Sequence, residues 1–160
     1  MSGSTWTPID DATQLKDVRL RLLLAHWSDA SRQGMMPSRD IIDPNKLGDL
    51  MGWLFLYRVE RDPLRFFYLL FGPKIARRIG VDLTGKYVDE HPDPDTRFAI
   101  NRLLTAVVTT GRPHRGTAQR RLLDRPMPTE AVVLPLAGPS GVIDHLLALQ
   151  ILDVPIEADA

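Results

Sequence analysis

One apolar helical stripe lies between two groups of strand-like segments, and this order limits the chain to folds that pack a helix against a sheet. The apolar residues of the stripe recur at i, i+3, i+4, i+7 and i+8 and are Ile100, Leu103, Leu104, Val107 and Val108. This spacing predicts a helix from Pro94 to Thr110 with one face turned to a core. Asp93 before Pro94 supplies an N-cap and a proline at the first helical position, and Gly111 ends the helix.

The segments on both sides of this helix have the composition of β-strands. Before it, aromatic and branched residues fill 53–60 and 64–71, with Arg61-Asp62-Pro63 as the turn of a hairpin. After it, the pattern predicts strands over 113–122, 130–137 and 142–152, the last two joined by Gly138-Pro139-Ser140-Gly141. Hairpins at both ends of a mixed chain indicate an α+β fold, with a five-stranded antiparallel sheet and helices on one face.

The N-terminal part is expected to form a helical cap. Asp11 with Gln14 has the spacing of a capping box at the start of a helix that reaches about Ser31, and Asp43-Pro44 begins a shorter one that ends at Gly52. We therefore divide this single domain into a flexible arm over 1–10, a helical cap over 11–52, a core over 53–154 and a tail over 155–160.

The first helix carries more apolar surface than one core contact requires. Its two stripes consist of Leu15, Val18, Leu22 and Ala25, and of Leu20, Leu23, Leu24 and Trp27. One stripe is expected to cover the sheet of the chain itself and the other to contact a second copy. We assign Leu20, Leu23, Leu24 and Trp27 to the interface of a homodimer.

Composition excludes several classes of function. Twenty basic residues balance twenty acidic ones, so no overall field attracts nucleic acid or an anionic membrane. The absence of cysteine excludes disulfides and thiolate metal sites. The first residues lack the pattern of a signal peptide and no apolar stretch reaches about 20 residues, so we expect a cytoplasmic protein that does not enter the membrane.

Several short strings resemble the PAS fold. The stretch from Leu70 to Gly80, followed by Asp82-Leu83-Thr84-Gly85-Lys86, is similar to the short PAS helices that lead to a hydrophobic-x-Gly-Lys turn. Thr110-Gly111-Arg112-Pro113 and Leu134-Pro135-Leu136 are similar to later PAS marks. Trp27, Met36-Pro37-Ser38-Arg39 and Ile42-Asp43-Pro44 resemble a stand-alone PAS-like family of alphaproteobacteria. One departure is Asp124-Arg125-Pro126, where PAS domains often have an Asp-Gly turn.

The resemblance implies a small cavity between the sheet and the long helix. The residues expected to line it are Phe67, Leu69, Ile75, Ile79, Leu83, Tyr87, Leu103, Val107, Leu134 and Leu146. Ordinary core packing would bury the same residues without a ligand. We expect no flavin photochemistry because the adduct-forming cysteine is absent, and no haem because His26, His91, His114 and His145 are scattered along the chain.

Polar clusters offer weaker candidates. The densest set of possible metal ligands is Asp89, Glu90, His91, Asp93 and Asp95, but acidic residues before a helix are typical of capping, so we predict no metal site. The basic stretch comprises Arg112, His114, Arg115, Arg120, Arg121 and Arg125, which is either an anion or partner site, at Arg115 and Arg120, or a charged strand that prevents aggregation. Arg39 with Asp43 either holds the cap or binds an anion.

Catalytic signatures are absent. Gly138-Pro139-Ser140-Gly141 does not fit a nucleophile elbow, and the adjacent Asp144 and His145 are expected to face opposite sides of a strand. The resemblance implies a regulatory protein, not an enzyme, that binds a small ligand or a signalling protein and acts through altered protein–protein interaction. The alternatives are a small cone-shaped α+β enzyme of the isomerase or cyclase type and a purely structural dimerisation module.

Overall fold

The structure is a computed structural model in which residues 5–31, 34–122 and 125–153 are described, residues 120–122 by their backbone only. The six strands are β1 (Thr5–Pro8), β2 (Leu54–Glu60), β3 (Arg65–Leu70), β4 (His114–Leu122), β5 (Arg125–Ala137) and β6 (Ile143–Leu152). The four α-helices are α1 (Val18–Ala30), α2 (Pro44–Leu47), α3 (Pro73–Ile79) and α4 (Pro94–Thr110). Short 3-10 helices at Ala12–Gln14, Arg39–Ile41, Gly48–Trp53 and Val88–Glu90 complete the described elements.

All six strands belong to one antiparallel sheet with the order β1-β4-β5-β6-β2-β3. The predicted α+β class is confirmed, but the sheet has one strand more than expected. Residues 5–8 do not form the predicted loose arm, because Thr5 to Pro8 pair with residues 114–117 of β4. The polar sequence of this edge strand shows no alternation, since little of it is buried. The predicted tail over 155–160 lies outside the described residues.

Helices α3 and α4 cover one face of the sheet. Helix α4 spans the predicted residues, with the Asp93 side chain accepting from Thr96 N–H and with Gly111 in the left-handed conformation after its end. Its buried residues Leu104 and Val107 pack in one core with Phe55, Tyr68 and Ile75, all at most 4 % exposed. This face contains Phe55 and Tyr57 of β2 and Phe66 and Tyr68 of β3.

The N-terminal cap covers the opposite face. Leu20 and Leu23 of α1 are fully buried in a second core with Leu134 of β5 and Leu147 of β6. Contrary to the prediction, the stripe that contains Leu20, Leu23, Leu24 and Trp27 therefore packs on the sheet of its own chain. The Trp27 indole N–H also donates to the carbonyl of Pro135 at 2.8 Å. These residues are not available to a second copy in this structure.

The other stripe of α1 faces outward. Val18 is 62 % exposed and Leu22 is 58 % exposed, while Leu15 lies before the helix and is fully buried. The two faces of the helix are predicted correctly except for Leu15, but the stripe assigned to a second copy is the one that packs on the sheet. Periodicity defines the faces of a helix without saying which face meets the sheet, and a leucine on each face leaves the choice open.

Candidate functional site

A small interior cavity lies between the sheet and helices α3 and α4. Its volume is about 70 Å³, and most of its lining is apolar or aromatic, including Phe55, Tyr68, Ile75 and Leu104. His91 and Gln150 are its clearest polar neighbours. An apolar cavity that holds one benzene measures roughly 150 Å³, and most ligand pockets have roughly 300–1,000 Å³. The cavity in this conformation therefore accepts only a very small guest.

A groove of about 80 Å³ lies beside this cavity, between α4 and strands β1 and β4. The two spaces share four lining residues, Ile100, Leu103, Ala131 and Gln150. Of these four shared residues, Leu103 also packs closely on Gly116 of β4. A Cβ added to Gly116 would lie 2.8 Å from Leu103 Cδ2. A shift of α4 or of Leu103 would join the cavity to the groove and to solvent.

The structure brings together six of the ten predicted pocket residues. Ile75, Ile79 and Leu103 line the cavity, and Leu83, Val107 and Leu146 belong to the core around it. Leu134 lies on the other face of the sheet, in the core beneath the cap, so its assignment to the pocket was wrong. Leu134 belongs to a strand that is apolar on both faces. Such a sequence has no polar–apolar alternation, so it does not show to which face of the sheet the Leu134 side chain points.

Phe67, Leu69 and Tyr87 lie away from the cavity. Phe67 and Tyr87 stack edge to face with centroids 5.2 Å apart, on the face of β3 opposite to the buried Phe66. Leu69 has no partner in the register of β2 and β3, because a β-bulge separates the pairs Leu56–Leu70 and Tyr57–Tyr68. Phe67 and Leu69 were assigned to the cavity because this strand is apolar on both faces, so its sequence does not show which face is buried.

The Phe67–Tyr87 pair is surrounded by charged groups at the surface. The guanidinium of Arg65 lies 3.6 Å from the Tyr87 ring centre and donates to Asp89 at 2.7 and 3.0 Å. This hydrogen bond lowers the pKa of Asp89. The Tyr87 hydroxyl donates to the Glu60 carboxylate at 2.9 Å. The pKa of Glu60 is lowered mainly by the hydrogen bond from Arg58 and to a smaller extent by the one from Tyr87.

The acidic cluster before α4 has structural partners. Besides the Asp89–Arg65 pair, Glu90 accepts from Tyr87 N–H, Asp93 caps α4 and His91 Nδ1 accepts from Asp93 N–H. Within residues 5–31, 34–122 and 125–153, no group of three histidine or acidic side chains is arranged to hold a metal ion. His91 is 6 % exposed and reaches the cavity, a position that its place in a polar loop did not reveal.

The basic stretch is divided among intramolecular partners. Arg115 donates to the carboxylate of Glu130 at 2.6 Å, and Arg112 and Arg125 pair with Asp10 and Asp153. Arg115 is thus occupied within the chain, contrary to its prediction as a free anion or partner site. The side chain of Arg120, the other candidate, lies outside the described residues.

Glu130 attaches the cap to the sheet. Its carboxylate, 2 % exposed, accepts the backbone N–H groups of Lys16 and Asp17, both at 2.8 Å, besides the bond from Arg115. Asp17 in turn caps α1 by accepting from Arg19 N–H, and its side-chain hydrogen bond with Arg19 lowers the pKa of Asp17. The predicted helix from Asp11 is interrupted here, because residues 15–17 turn toward Glu130. We define this group, Lys16, Asp17, Arg115 and Glu130, as the cap anchor.

A second polar contact lies at the opposite end of the cap. Arg39 donates to His145 Nε2 at 3.3 Å, and His145 Nδ1–H donates to Asp144 at 2.8 Å. The expected pairing of Arg39 with Asp43 is not found among the described contacts, because Asp43 caps α2. Asp144 and His145 lie on one side of the sheet, contrary to the prediction, since Asp144 is the extra residue of a bulge in β6.

The family model for the PAS domain matches residues 15–150. The chain belongs to the PAS domain family, a class that is generally sensory and not catalytic. The predicted resemblance is confirmed.

The solved structures to which this chain is similar are distant in sequence. An RNA-binding light-oxygen-voltage receptor is 15% identical with a TM-score of 0.52, and the match covers 94% of this chain but only 38% of that one. A Rhodobacter sphaeroides LOV protein is 14% identical, with a TM-score of 0.44 and coverage of 86% and 68%. A sensory box histidine kinase/response regulator from Burkholderia thailandensis is 12% identical, with a TM-score of 0.42 and coverage of 69% and 84%.

No curated protein matches the sequence significantly. In the part of the chain that the structure describes, none of the helices combines the length and the apolar character needed to cross a bilayer.

Proposed function

We propose that this PAS domain is a regulatory protein that changes its affinity for a protein partner when its N-terminal cap changes position on the sheet. The cap anchor is the observation that carries the proposal. Three hydrogen bonds meet on one buried carboxylate, so the start of α1 is held by a charge on β5, directly on the sheet that forms the cavity wall. A displacement of β5 would reach α1 through this contact.

The signal that this domain receives is the binding of a small guest in the cavity between the sheet and helices α3 and α4. Strand β5 contributes Ala131 and Val133 to the cavity wall and Glu130 to the cap anchor. Because neighbouring residues of a strand point to opposite faces, a guest that moves β5 acts on both faces at once. A ligand shifts the protein only if it binds one conformation better than the other. The cavity of about 70 Å³ supports a small guest and argues against haem or flavin in this conformation.

The output surface is the exposed stripe of α1. Val18, Leu22 and Ala25 form an apolar band on the outside of the helix. Its proposed occupant is a second copy of the chain. Helix α1 has Arg21 near its start and Asp29 near its end, so two helices crossing in antiparallel orientation bring opposite charges together. When the dimer dissociates, the same apolar band becomes exposed and can bind a signalling protein. We place this protein in the cytoplasm and expect no nucleic-acid or membrane partner.

Replacing Leu22 with glutamate tests the output surface. We expect the wild type to sediment as a dimer and Leu22→Glu as a monomer with an unchanged circular dichroism spectrum, because position 22 lies outside both cores. Phe98→Glu is the matched control, since Phe98 is 64 % exposed on α4 and should leave the dimer intact. A wild-type protein that stays monomeric at high concentration would refute the dimer.

Catalysis by a small cone-shaped enzyme requires an ionisable group inside an apolar cavity. His91 lines the interior cavity, but its Nδ1 accepts from Asp93 N–H at the start of α4. His145 lies beside an open cleft, where its Nε2 accepts from Arg39. Neither ring is therefore offered to a substrate inside an apolar cavity. A purely structural dimer module remains the other alternative. Native mass spectrometry of protein from its own host separates the two readings, because sensing predicts a retained small molecule and a structural module predicts an empty dimer.

A further inference from the structure

The open cleft at the Arg39 end of the cap has no role in the proposed signalling. It lies between the segment 35–41 and the β5–β6 hairpin and has a volume of about 1200 Å³. This volume is an order of magnitude larger than that of the interior cavity. It slightly exceeds the roughly 300–1,000 Å³ of ordinary ligand sites. Of the three spaces described among residues 5–31, 34–122 and 125–153, the cleft is the one with room for a metabolite without a conformational change.

The floor of the cleft offers a cation beside a hydrogen-bond acceptor. Within the described chain, the partner of the Arg39 guanidinium is the His145 ring at 3.3 Å, not a carboxylate. This long contact uses one of the five N–H donors of an arginine. Asp144 accepts from His145 Nδ1–H and thereby leaves a lone pair on Nε2, directed toward Arg39.

Backbone geometry fixes this arrangement. The Asp144 carboxylate lies where a side chain at position 138 would be, since a Cβ on Gly138 would stand 2.2 Å from Asp144 Oδ2. The bulge at Asp144 turns both Asp144 and His145 toward the cleft. Ala137 N–H donates to the carbonyl of Pro37 at 2.9 Å, which ties the two walls together. The cation and the acceptor are therefore preorganised.

We propose that this cleft binds the phosphate group of a small phosphorylated metabolite. The phosphate replaces the long contact between Arg39 and His145. Its anionic oxygens accept from Arg39, and the O–H of the monoprotonated form donates to the His145 Nε2 lone pair, which Arg39 then no longer occupies. The hydroxyls of Ser38 and Ser140 also line the cleft and can donate to the remaining oxygens. Arginine matches phosphate geometry through two parallel N–H groups.

Acidic residues restrict the ligand. Asp40 and Asp144 line the same cleft as Arg39, so among the described residues of the lining the arginine stands beside two carboxylates. A polyanion such as nucleic acid would meet these carboxylates, whereas a compact phosphate monoester meets Arg39 alone. The remaining volume and the apolar side chains of Met35 and Met36 accommodate the organic part of the ligand.

Amide and imidazole NMR titrations with inorganic phosphate, glycerol 3-phosphate and sulfate at matched ionic strength test the site. We expect phosphate to shift the signals of residues 38–41 and 139–145, and glycerol 3-phosphate to bind more tightly than phosphate. Sulfate has no O–H at neutral pH and should bind several-fold more weakly. Arg39→Met should weaken phosphate binding by about tenfold or more.

Arg77→Met is the control, because Arg77 is exposed on α3, away from the cleft. A purely structural role of Arg39 would lower the stability of Arg39→Met while its phosphate titration stayed like that of the wild type. That result, or equal binding of sulfate and phosphate, would overturn the proposal. None of these readouts depends on dimerisation or on the interior cavity.

Discussion

Glu130 on the sheet accepts the backbone N–H of Asp17 at the start of α1, at 2.8 Å, and the residues are 113 positions apart in the sequence. The contact joins a buried carboxylate to the cap residue of a helix, while Arg115 balances the charge from the next strand. Orientation of the cap therefore depends on one side chain of β5. Hydrophobic contacts alone would let a helix slide along a flat apolar surface, whereas this hydrogen bond defines one position.

Replacing Glu130 with glutamine tests the cap anchor. Glutamine keeps the shape of the side chain but removes the charge, so Arg115 loses its partner and one N–H group of the cap faces an amide donor. Breaking a buried charged pair costs about 3–5 kcal/mol, and we expect a loss of this size in urea unfolding. Hydrogen exchange of the α1 amides should accelerate as well.

Arg125→Met is the matched control for this variant. Arg125 also pairs with a carboxylate, Asp153, but is 67 % exposed, and exposed pairs contribute less than about 1 kcal/mol. A Glu130→Gln protein as stable as Arg125→Met would show that the anchor does not hold the cap.

Leu22 and Leu23 are neighbours on α1 with opposite environments, 58 % exposed and fully buried. Leu23→Ala leaves a cavity in the core under the cap and should lower the free energy of unfolding by roughly 2–5 kcal/mol. Leu22→Ala should change it by less than about 0.5 kcal/mol in the monomer. Equal losses in chemical unfolding of the two variants would contradict the observed orientation of α1.

Asp17 should contribute to acid sensitivity. The hydrogen bond from Arg19 holds the pKa of Asp17 in the folded protein below its ordinary 3.8. As the pH falls, the Asp17 carboxylate is therefore protonated first in the unfolded chain. The stabilisation from this group is complete above the unfolded pKa of 3.8 and is lost as the pH falls through the lower pKa of the folded protein. Asp17→Asn should flatten this decline in urea unfolding between about pH 5 and about pH 2.5. Asp49→Asn, on an exposed turn, should keep the wild-type slope.

Leu103→Ala should join the interior cavity to the neighbouring groove. Their volumes of about 70 and 80 Å³ together match the roughly 150 Å³ that holds benzene. We expect the variant to lose roughly 2 kcal/mol and to gain melting temperature when benzene is added, because binding to the folded state alone stabilises it. The wild type should not respond. A Leu103→Ala protein that ignores benzene would show that the two spaces do not merge.

Local signals predicted most of the fold. The bounds of α4, its Asp93 cap and Gly111 follow from spacing and capping chemistry, which act within one helix and do not depend on tertiary contacts. The capping box of Asp11 and Gln14 also forms as predicted, although the helix that follows is interrupted. Strands β2 and β6 begin one residue later than predicted, within the uncertainty of any strand end.

Long-range contacts account for what the sequence did not show. Thr5–Pro8 becomes a strand because β4 offers a free edge, and Glu130 is buried because two backbone amides and Arg115 reach it from elsewhere in the chain. The bulges at Leu69 and Asp144 each reverse the alternation on which strand predictions depend. The bulge at Asp144 explains why Asp144 and His145 were predicted to face opposite sides, whereas Leu146 on the same strand was assigned to the correct face.

With helices on both sides, most of the sheet is hidden from a binding protein, which meets the outside of α1 or α4 first. Substitutions at Val18 or Leu22 would then alter which proteins are recognised while both cores stay packed. Under the proposed function, partner choice and folding stability are governed by different residues, so selection could change one with little effect on the other.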